Sequence, residues 1–342
     1  MNVPDTAVIL INIGTPDSPS VGDVRRYLSE FLNDPRVMDI PRLLRKILVN
    51  MVIIPFRSSR SAKLYRILWT DNGSPLLYYG KRVRDRLEEI SGDDFRIFLA
   101  MRYGNPGLDT VLEEIKTSGY RKIIAITLYP QYASSTTGTP HSAIMDKVRK
   151  WEVIPEISFI SQFYDNPGFI DAFTKRIRSS NYRDYDHVVF SYHGLPVRHI
   201  NRGHPSLNAG DCVCEDHMPD HGAYCYKATC YETTRLLAAR LKLNSGDYST
   251  AFQSRLYGKW LQPFTDELLL QKAREGAGKI LIAAPSFVAD CLETTVELGI
   301  EYKKLFLSSG GRQLDYVESL NDMHEWVDTL KEMFSNPGRM KI

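Results

Sequence analysis

Residues 187–196 read HVVFSYHGLP, and this stretch decides the fold class. Four of its first six residues are apolar or aromatic, with no regular polar alternation. Such a run is typical of a strand that is covered on both faces of a parallel sheet. The run ends directly in His193 and a Gly. Ligands of open parallel sheets bind beyond the carboxyl ends of the strands, so His193 is the first candidate for a functional side chain.

Similar runs recur along the chain and alternate with amphipathic helical patterns. At about 150 residues per domain, 342 residues predict two domains. A βαβα order predicts a doubly wound α/β fold, and we place the domains at 1–165 and 166–342, with the alternative that the C-terminal helix packs back on the first domain. The other predicted strands are Val8–Ile13, Arg96–Ala100, Lys122–Tyr129, Ile157–Phe163, Ser249–Gln253, Lys279–Ala284 and Gln313–Val317. The predicted helices include Thr15–Leu32, Pro75–Ile90, Asn105–Ser118 and Thr233–Leu241.

Charge and motif content exclude several classes of function. The chain carries 43 basic and 41 acidic side chains, a net charge of +2, which argues against broad binding to nucleic acid. It has no GxGxxG or GxxxxGK[ST] motif, so a dinucleotide or P-loop nucleotide is not expected. The short apolar run 7–13 has no basic segment before it and is interpreted as a first strand, not a secretory signal. We therefore predict a cytoplasmic protein.

One apolar segment, 47–56 (ILVNMVIIPF), allows two interpretations. Arg45, Lys46, Arg57 and Arg60 flank it, so it could lie on the inner face of a membrane as an amphipathic segment. A run of this length is more often a core helix, here ended by Pro55. The sequence favours the core helix and keeps peripheral membrane contact as the alternative.

Residues that follow the predicted strands carry acid–base and metal-binding chemistry. An imidazole such as His193 can accept a proton near pH 7 or bind a metal, although it can also be a structural, hydrogen-bonded residue. Glu293, Glu297 and Glu301 recur at i, i+4 and i+8, which places them on one face of a regular helix. They form either a solvated helix face or a line of carboxylates that passes cations or protons inward.

Arginines and aromatic rings near the same strand ends suit an acidic, flat ligand. A guanidinium can bind a carboxylate through two parallel hydrogen bonds, and flat rings pack well on a flat apolar molecule. Taken singly, each of these residues is also compatible with a surface ion pair or with core packing. The candidates are Arg57, Arg102, Arg255, Ser74, Tyr65, Tyr103 and Trp260.

Several long motifs, in one order, resemble those of the ferrochelatases. They are LINIGTP (10–16), GSPL (73–76), MRY (101–103), YPQYASSTTG (129–138), SYHGLP (191–196), FQSR (252–255), PFTDE (263–267) and FVADCLET (287–294). The resemblance covers about residues 7–335. It implies two Rossmann-like domains, as in type II chelatases, each with a four-stranded parallel sheet flanked by helices. It also implies insertion of Fe²⁺ into protoporphyrin IX, which gives protohaem and two protons.

The resemblance also assigns roles to residues. His193 and Glu293 match the pair that handles metal and protons, and Glu297 and Glu301 continue it as a relay. The implied porphyrin contacts are Ile13, Arg57, Tyr65, Ser74, Arg102, Tyr103, Ser254, Arg255 and Trp260. Members that act on coproporphyrin III carry Tyr where this chain has Ile13, which favours protoporphyrin IX. The alternatives are a coproporphyrin III ferrochelatase, another type II tetrapyrrole chelatase, and a non-catalytic porphyrin carrier or sensor.

A cysteine-rich insertion at 201–230 interrupts the α/β pattern. Four of the five cysteines lie in it, at Cys212, Cys214, Cys225 and Cys230. In a reducing compartment, clustered cysteines indicate a metal more than disulfides. Four thiolates suit a [2Fe–2S] cluster or Zn²⁺, and His217 or His221 could replace a thiolate in a zinc site. Some bacterial ferrochelatases have an internal segment of this kind that holds a [2Fe–2S] cluster, which favours the cluster here.

Overall fold

The computed structural model describes residues 5–204, 208, 210–255 and 259–336. Eight strands alternate with helices, and every predicted strand is present. The strands are β1 (Thr6–Thr15), β2 (Phe95–Gly104), β3 (Lys122–Thr127), β4 (Glu156–Ile160), β5 (His187–His193), β6 (Tyr248–Gln253), β7 (Lys279–Ala283) and β8 (Gln313–Tyr316). They form two parallel four-stranded sheets, in the orders β2-β1-β3-β4 and β6-β5-β7-β8, so the predicted fold class is confirmed.

The helices cover these sheets and include two π-helical segments. The α-helices are α1 (Val21–Leu32), α2 (Arg42–Ile47), α3 (Ile54–Leu68), α4 (Pro75–Ser91), α5 (Leu108–Ser118), α6 (Gly138–Val148), α7 (Pro167–Ser179), α8 (Val197–Gly203), α9 (Tyr226–Leu241), α10 (Thr265–Arg274), α11 (Lys303–Ser308) and α12 (His324–Ser335). The π-helical segments are Leu48–Ile53 and Leu292–Tyr302. Short 3₁₀ turns occupy Gly92–Asp94, Tyr182–Asp184 and Gly222–Tyr224.

Two compact units account for the described chain. The first contains residues 5–129, 133–162 and 327–336, and the second contains 130–132 and 163–326. In the first unit, Ile9 and Ile11 of β1 pack against α5 and α6. The opposite face of the sheet is covered by α4, where Gly80 lets the helix approach Leu99 so closely that a Cβ would lie 3.2 Å from that side chain.

The second unit repeats this arrangement. Val189 of β5 and Ile282 of β7 pack against α10, α11 and the π-helical segment Leu292–Tyr302. On the other face, Tyr192 is fully buried and its hydroxyl lies 2.9 Å from Thr234 Oγ1 on α9. Because all four strands are parallel, the residues that follow β5, β6 and β7 meet at one edge of the sheet.

Some helix boundaries differ from prediction because of local capping. Helix α1 begins at Val21, not Thr15, because the Ser20 hydroxyl accepts the Asp23 N–H at 3.1 Å and starts the helix there. Helix α9 begins at Tyr226, seven residues before the predicted Thr233. There the Cys225 thiol caps the first turn, at 3.4 Å from the Ala228 N–H.

Candidate functional site

His193 is the last residue of β5 and is partly exposed at the carboxyl edge of the second sheet. Its Nδ1 lies 2.7 Å from the carbonyl oxygen of Gly194, so Nδ1 carries the proton in this hydrogen bond. Nε2 is then the nitrogen with an available lone pair. Gly194 is required here, because a Cβ at this position would lie 2.7 Å from the carbonyl oxygen of Gln253. The backbone therefore fixes both the place and the tautomer of His193.

Glu297 is the most strongly bound carboxylate of this edge. Its Oε1 accepts from the Ser254 backbone N–H at 2.8 Å and from the Tyr302 hydroxyl at 2.9 Å. Its Oε2 accepts from Gln253 Nε2 at 3.1 Å and from the Ser254 hydroxyl at 2.5 Å. Ser254 adopts a left-handed φ of 62°, a costly conformation for a non-glycine residue, and this turns both of its donors onto one carboxylate.

Burial decides the protonation of Glu297. It raises the pKa of this carboxyl above its ordinary value, and the charge of Glu293 raises the pKa further. The donated hydrogen bonds and His193 oppose this rise. Glu297 therefore holds its proton to a higher pH than an ordinary glutamate does.

The three glutamates of the predicted stripe do not share one environment. The segment Leu292–Tyr302 is π-helical, so the spacing of an α-helix does not apply along it. Glu293 and Glu297 are partly buried, whereas Glu301 is exposed. Glu297 is near enough to His193 for their charges to interact, whereas Glu301 lies at the surface.

Aromatic rings and the Tyr226 hydroxyl lie around His193. The rings of Trp260 and Phe287 each lie 6.4 Å from the imidazole, centroid to centroid. The Tyr226 hydroxyl donates to the carbonyl oxygen of His193 at 2.8 Å and lies 3.5 Å from the Ser286 hydroxyl. Trp260 thus lies beside His193 as an apolar wall.

Arg255, predicted as a carboxylate-binding residue, is already paired. Its Nη1 lies 2.7 Å from Glu267 and its Nη2 lies 2.8 Å from Asp266. The guanidinium also lies over the Phe264 ring, 4.1 Å from its centroid. A ligand carboxylate can therefore bind Arg255 only by displacing Asp266 or Glu267 from its guanidinium.

In the first unit, residues at the carboxyl ends of β1 and β2 form buried polar contacts. The Thr15 hydroxyl donates to the Ser74 hydroxyl at 2.9 Å, and Ser74 is only 3% exposed. Ile13 lies near the end of β1 and is partly exposed. Ser74 and Ile13 therefore both lie near the carboxyl edge of the first sheet.

Arg102 and Tyr103 share a buried carboxylate, Asp34. Arg102 Nη2 lies 2.7 Å from Asp34, and the Tyr103 hydroxyl lies 3.0 Å from the same oxygen. Arg102 Nε also donates to Thr139 at 2.9 Å. Burial and the charge of Asp34 hold the pKa of Tyr103 well above its ordinary value. This network fixes the edge of the sheet. It also leaves the Arg102 guanidinium already bound to Asp34 and Thr139.

The remaining predicted ligand contacts lie on α3. Arg57 is exposed, and in the described part of the chain no ion pair involves it. Tyr65 is 7% exposed, and its ring meets the Tyr27 ring edge-on at 6.3 Å. Arg57 is therefore the available cation among the three predicted arginines, whereas Tyr65 is packed in the unit.

The cysteine insertion forms a buried donor cluster. All four of its cysteines are free thiols and buried. Donor atoms of Cys212, Cys225 and His204 lie within 4.8 Å of one another. A hydrogen bond between the thiols of Cys214 and Cys225 lowers the pKa of Cys225. Burial lowers the pKa of His204, which favours the neutral form of this imidazole. Thiolates and a neutral imidazole are the donors that Zn²⁺ and iron bind.

Four functional-site residues escaped the sequence analysis. Gln253 and Tyr302 bind Glu297, Asp34 pairs with Arg102, and His204 joins the cysteines. Tyr302 lies five residues after Glu297, a spacing that belongs to a π-helix and not to an α-helix. His204 precedes Cys212 by only eight residues and could have been counted with the cysteines. No local signal pointed to Asp34, whose partners lie 68 and 69 residues away.

Comparison with solved structures identifies the fold. The structure of SirB from Bacillus subtilis with Fe³⁺ matches with a TM-score of 0.54, over 98% of this chain and 96% of that chain. The sirohydrochlorin chelatase SirB from Bacillus subtilis subspecies spizizenii, in complex with cobalt, matches with a TM-score of 0.50, over 98% and 97% of the two chains. Both are 11% identical in sequence, so the likeness concerns the fold alone.

Comparison of sequences identifies the family. The family model described as Ferrochelatase matches residues 5–337. Ferrochelatase from Coxiella burnetii (strain Dugway 5J108-111) is 41% identical over 333 residues, 95% of this chain and 92% of the relative. Ferrochelatase from Legionella pneumophila (strain Lens) is 41% identical over 329 residues, 95% of this chain and 97% of the relative. Since the match spans both sheets and the motifs around His193 and Glu297, the chain belongs to the ferrochelatase family.

Proposed function

We propose that the protein inserts Fe²⁺ into protoporphyrin IX in haem biosynthesis, forming protohaem and releasing the two pyrrole protons. The observation that carries this proposal is that His193 lies near a partly buried carboxyl, Glu297, within motifs of the ferrochelatase family. Metal insertion needs a group that accepts protons from pyrrole nitrogens and a group that moves them away from the ring. The two residues supply both at one sheet edge.

His193 is the group that acts at the porphyrin nitrogens. Its Nδ1 is bound to Gly194, so Nε2 is the atom that can accept a pyrrole proton or bind the incoming Fe²⁺. The family resemblance assigns Glu293 to metal and proton handling together with His193, and Glu297 is a further carboxyl whose raised pKa favours the protonated form. A relay that ends at the exposed Glu301 would connect the site with solvent.

The apolar wall beside His193 serves the porphyrin ring. A planar porphyrin presents its nitrogen lone pairs poorly to an ion, and bending the ring exposes one of them. A rigid surface that binds the bent ring better than the flat one lowers the barrier to insertion. Trp260 and Phe287, each 6.4 Å from the imidazole, are the rings proposed for this contact.

The propionates are assigned to Arg57, whereas Ser74, which the resemblance also implies, is buried and accepts a hydrogen bond from Thr15. Arg57 is exposed, whereas Arg102 and Arg255 already bind internal carboxylates. Arg102, Tyr103 and Ser254 then contribute by shaping the two sheet edges, not by binding propionate directly. Replacing Arg57 with Gln is expected to raise KM for porphyrin about tenfold, the effect of about 1.4 kcal/mol, and to leave kcat nearly unchanged.

Ile13 favours protoporphyrin IX over coproporphyrin III. Coproporphyrin III carries four propionates and protoporphyrin IX two, so an apolar residue at the end of β1 suits the less acidic ring. Comparison of kcat/KM for the two porphyrins tests this assignment. A higher value with coproporphyrin III would contradict it, and Ile13→Tyr provides a variant that should shift the ratio toward coproporphyrin III.

The decisive experiment for the activity is anaerobic incubation of the pure protein with Fe²⁺ and protoporphyrin IX. We expect catalytic formation of protohaem. A porphyrin carrier or sensor would bind the ring without turnover. Another type II chelatase would leave protoporphyrin IX unchanged and would act on a different tetrapyrrole, such as sirohydrochlorin, supplied in its place. Either result would reject the proposal.

A second proposal concerns the apolar segment 47–56. The sequence favoured a core helix, but Met51 is 72% exposed and Phe56 is 80% exposed. Leu43, Leu44, Ile47 and Val52 are exposed beside them. No helix of the described chain is long and apolar enough to cross a bilayer. Exposed apolar side chains with flanking cations support peripheral contact with an anionic membrane, at the cytoplasmic face of the inner membrane.

Vesicle sedimentation tests this contact. The protein should sediment with vesicles that contain anionic lipid, and Met51→Asp or Phe56→Asp should weaken sedimentation several-fold. Val153→Asp is the matched control, because Val153 is 82% exposed but lies outside the segment. Equal sedimentation of all four proteins would contradict a role for residues 47–56.

The third proposal is a resident metal centre in the cysteine insertion. The buried free thiols and the converging donors of Cys212, Cys225 and His204 fit a soft or borderline metal. The family resemblance favours a [2Fe–2S] cluster, bound by Cys212, Cys214, Cys225 and Cys230, over Zn²⁺. Such a cluster would supply one-electron redox chemistry. Anaerobic purification should give visible charge-transfer absorption with about two iron and two sulfide per chain, whereas zinc without sulfide would favour the alternative.

A further inference from the structure

Tyr226 is a buried side chain that reaches the backbone of the proposed proton acceptor. It is the first residue of α9 and is only 7% exposed. Its hydroxyl donates to the carbonyl oxygen of His193 at 2.8 Å. This hydrogen bond joins the start of α9 to the carboxyl end of β5, at the residue that bears the imidazole.

The peptide group between His193 and Gly194 is bound at both of its ends. Its N–H donates to the carbonyl oxygen of Gln253 on β6 at 2.8 Å. Its carbonyl oxygen accepts from the Tyr226 hydroxyl. Because a peptide group is planar, partners on its two opposite sides fix the rotation of the whole plane. The N–H partner belongs to the backbone, so Tyr226 is the side chain of this pair.

Gly194 makes this control of the peptide plane important. Glycine has no Cβ and adopts a wider range of backbone dihedrals than any other residue. The carbonyl oxygen of Gly194 lies 2.7 Å from His193 Nδ1. Its direction follows from the plane of the preceding peptide and from the Gly194 dihedrals. Rotation of the His193–Gly194 peptide would therefore move the acceptor of the Nδ1 proton.

The hydrogen bond at Nδ1 decides which nitrogen of His193 has a lone pair. In a neutral imidazole one ring nitrogen carries the proton and the other is an acceptor, and the bond made by one of them selects the tautomer. With Nδ1 bound to the Gly194 carbonyl, Nε2 keeps its lone pair. If this carbonyl moved away, the proton could shift to Nε2, which could then neither accept a pyrrole proton nor bind Fe²⁺.

The surroundings of Tyr226 hold its hydroxyl in place for this bond. A phenol has a single proton, which goes to the His193 carbonyl, so the Ser286 hydroxyl is the donor in its 3.5 Å contact with Tyr226. The Cys225 thiol lies 3.4 Å from the Ala228 N–H and caps the first turn of α9, which contains Tyr226. The helix therefore sets the position of the ring, and the neighbouring hydroxyl favours its orientation.

We propose that Tyr226 is a positioning residue for His193, whose hydroxyl fixes the His193–Gly194 peptide and thereby keeps the imidazole proton on Nδ1. The consequence for metal insertion rests on the proposed function, in which Nε2 acts at the porphyrin nitrogens. The tautomer itself is a property of the protein alone. Any effect of Tyr226 on turnover therefore passes through the imidazole.

Tyr226→Phe removes only the hydroxyl, and Tyr192→Phe is its matched control. Tyr192 precedes His193 in β5, is fully buried, and its hydroxyl lies 2.9 Å from Thr234 Oγ1 on α9. Both tyrosines thus join β5 to α9 through a hydroxyl, but Tyr192 does so without binding the His193 carbonyl. A loss that comes merely from weaker contact between β5 and α9 should appear in both variants.

The tautomer of His193 is measured by heteronuclear NMR of the full-length protein with ¹⁵N-labelled histidine, at alkaline pH, where an imidazole is neutral. The spectrum of His193→Ala identifies the His193 signals. We expect the Nδ1–H tautomer in the wild type and in Tyr192→Phe, and a mixture with the Nε2–H tautomer in Tyr226→Phe. In anaerobic haem formation, Tyr226→Phe should lower kcat about tenfold and leave KM for porphyrin nearly unchanged, whereas Tyr192→Phe should change neither.

Four results would overturn the proposal. They are an Nε2–H tautomer in the wild type, a pure Nδ1–H tautomer in Tyr226→Phe, a shifted tautomer with unchanged kcat, and equal changes in Tyr192→Phe. The wild-type spectrum remains a test if Tyr226→Phe does not fold. A wild type that forms no haem would reject the proposed ferrochelatase activity, and the NMR comparison would still decide whether Tyr226 positions His193.

Discussion

Replacement of Glu297 with Gln removes the ionisable carboxyl of this partly buried side chain and keeps its shape. In the Glu297→Gln variant the amide carbonyl oxygen can still accept from Ser254 N–H and the Tyr302 hydroxyl, which both bind Oε1 in the wild type. The new NH₂ group then faces Gln253 Nε2, a donor that had bound Oε2 at 3.1 Å. The Ser254 hydroxyl can turn and accept from the amide. The variant's amide and Gln253 Nε2 are then two hydrogen-bond donors that face each other without an acceptor. This lowers the free energy of unfolding by about 1–2 kcal/mol.

The pH dependence of this cost follows from the direction of the Glu297 pKa shift. Burial raises the pKa of the folded carboxyl, so the folded state binds its proton more tightly than the unfolded state. Wild-type stability contributed by Glu297 is therefore present below the unfolded pKa of 4.5 and is lost as pH rises through the folded pKa. The slope reaches at most about 1.4 kcal/mol per pH unit. The variant has no such slope, because its amide does not titrate.

Urea unfolding of both proteins between pH 5 and pH 9 measures this difference. We expect the variant to be less stable by about 1–2 kcal/mol at pH 5, and this deficit should shrink as pH rises. Turnover should fall about 100-fold or more, because a fixed amide cannot carry a proton. A deficit that stays constant or grows with pH would refute the assignment of Glu297 as a carboxyl that holds its proton.

Three further perturbations test the fold around the site. Gly14→Ala should destabilise the protein by about 3 kcal/mol or more, since its Cβ would lie 1.7 Å from the Tyr103 carbonyl oxygen at a φ of +114°; wild-type urea unfolding would contradict this. Asp34→Asn should cost about 3 kcal/mol by leaving Arg102 without its buried partner, and a variant with both Asp34→Asn and Arg102→Met should recover part of that loss. Burial lowers the pKa of His187 to about 4, so the free energy of unfolding should fall as pH falls from 6.5 to about 4. His187→Gln should flatten this dependence when unfolding is measured at acid pH. Identical slopes in the two proteins would show that His187 is not its cause.

The periodicity of the chain was sufficient for the fold because buried parallel strands need nearly continuous apolar runs. All eight strands and their division into two sheets followed from this pattern. Helix starts were less accurate, since they depend on single side chains. The Cys225 cap lengthened α9 and put Cys230 inside a helix, which changes the environment of that thiol.

The candidate site was predictable where chemistry and strand ends coincide, as at His193. It was not predictable where pairing depends on distant residues. Arg102 was expected to bind a ligand, but the backbone between β1 and β2 brings Asp34 to it over 68 residues. The spacing of the three glutamates likewise did not predict their exposure, because Glu301 is exposed near the end of the π-helical segment whereas Glu293 and Glu297 are partly buried.

The central claim is that His193 acts at the porphyrin nitrogens and is not only a binding residue. The most direct measurement is the initial rate of protohaem formation from Fe²⁺ and protoporphyrin IX under anaerobic conditions, for wild type, His193→Ala and Glu293→Gln. The porphyrin dissociation constant is determined on the same samples by fluorescence quenching. We predict that both variants lose at least about 100-fold in turnover while the dissociation constant changes little. Near-normal turnover in His193→Ala, with porphyrin still bound, would contradict the account.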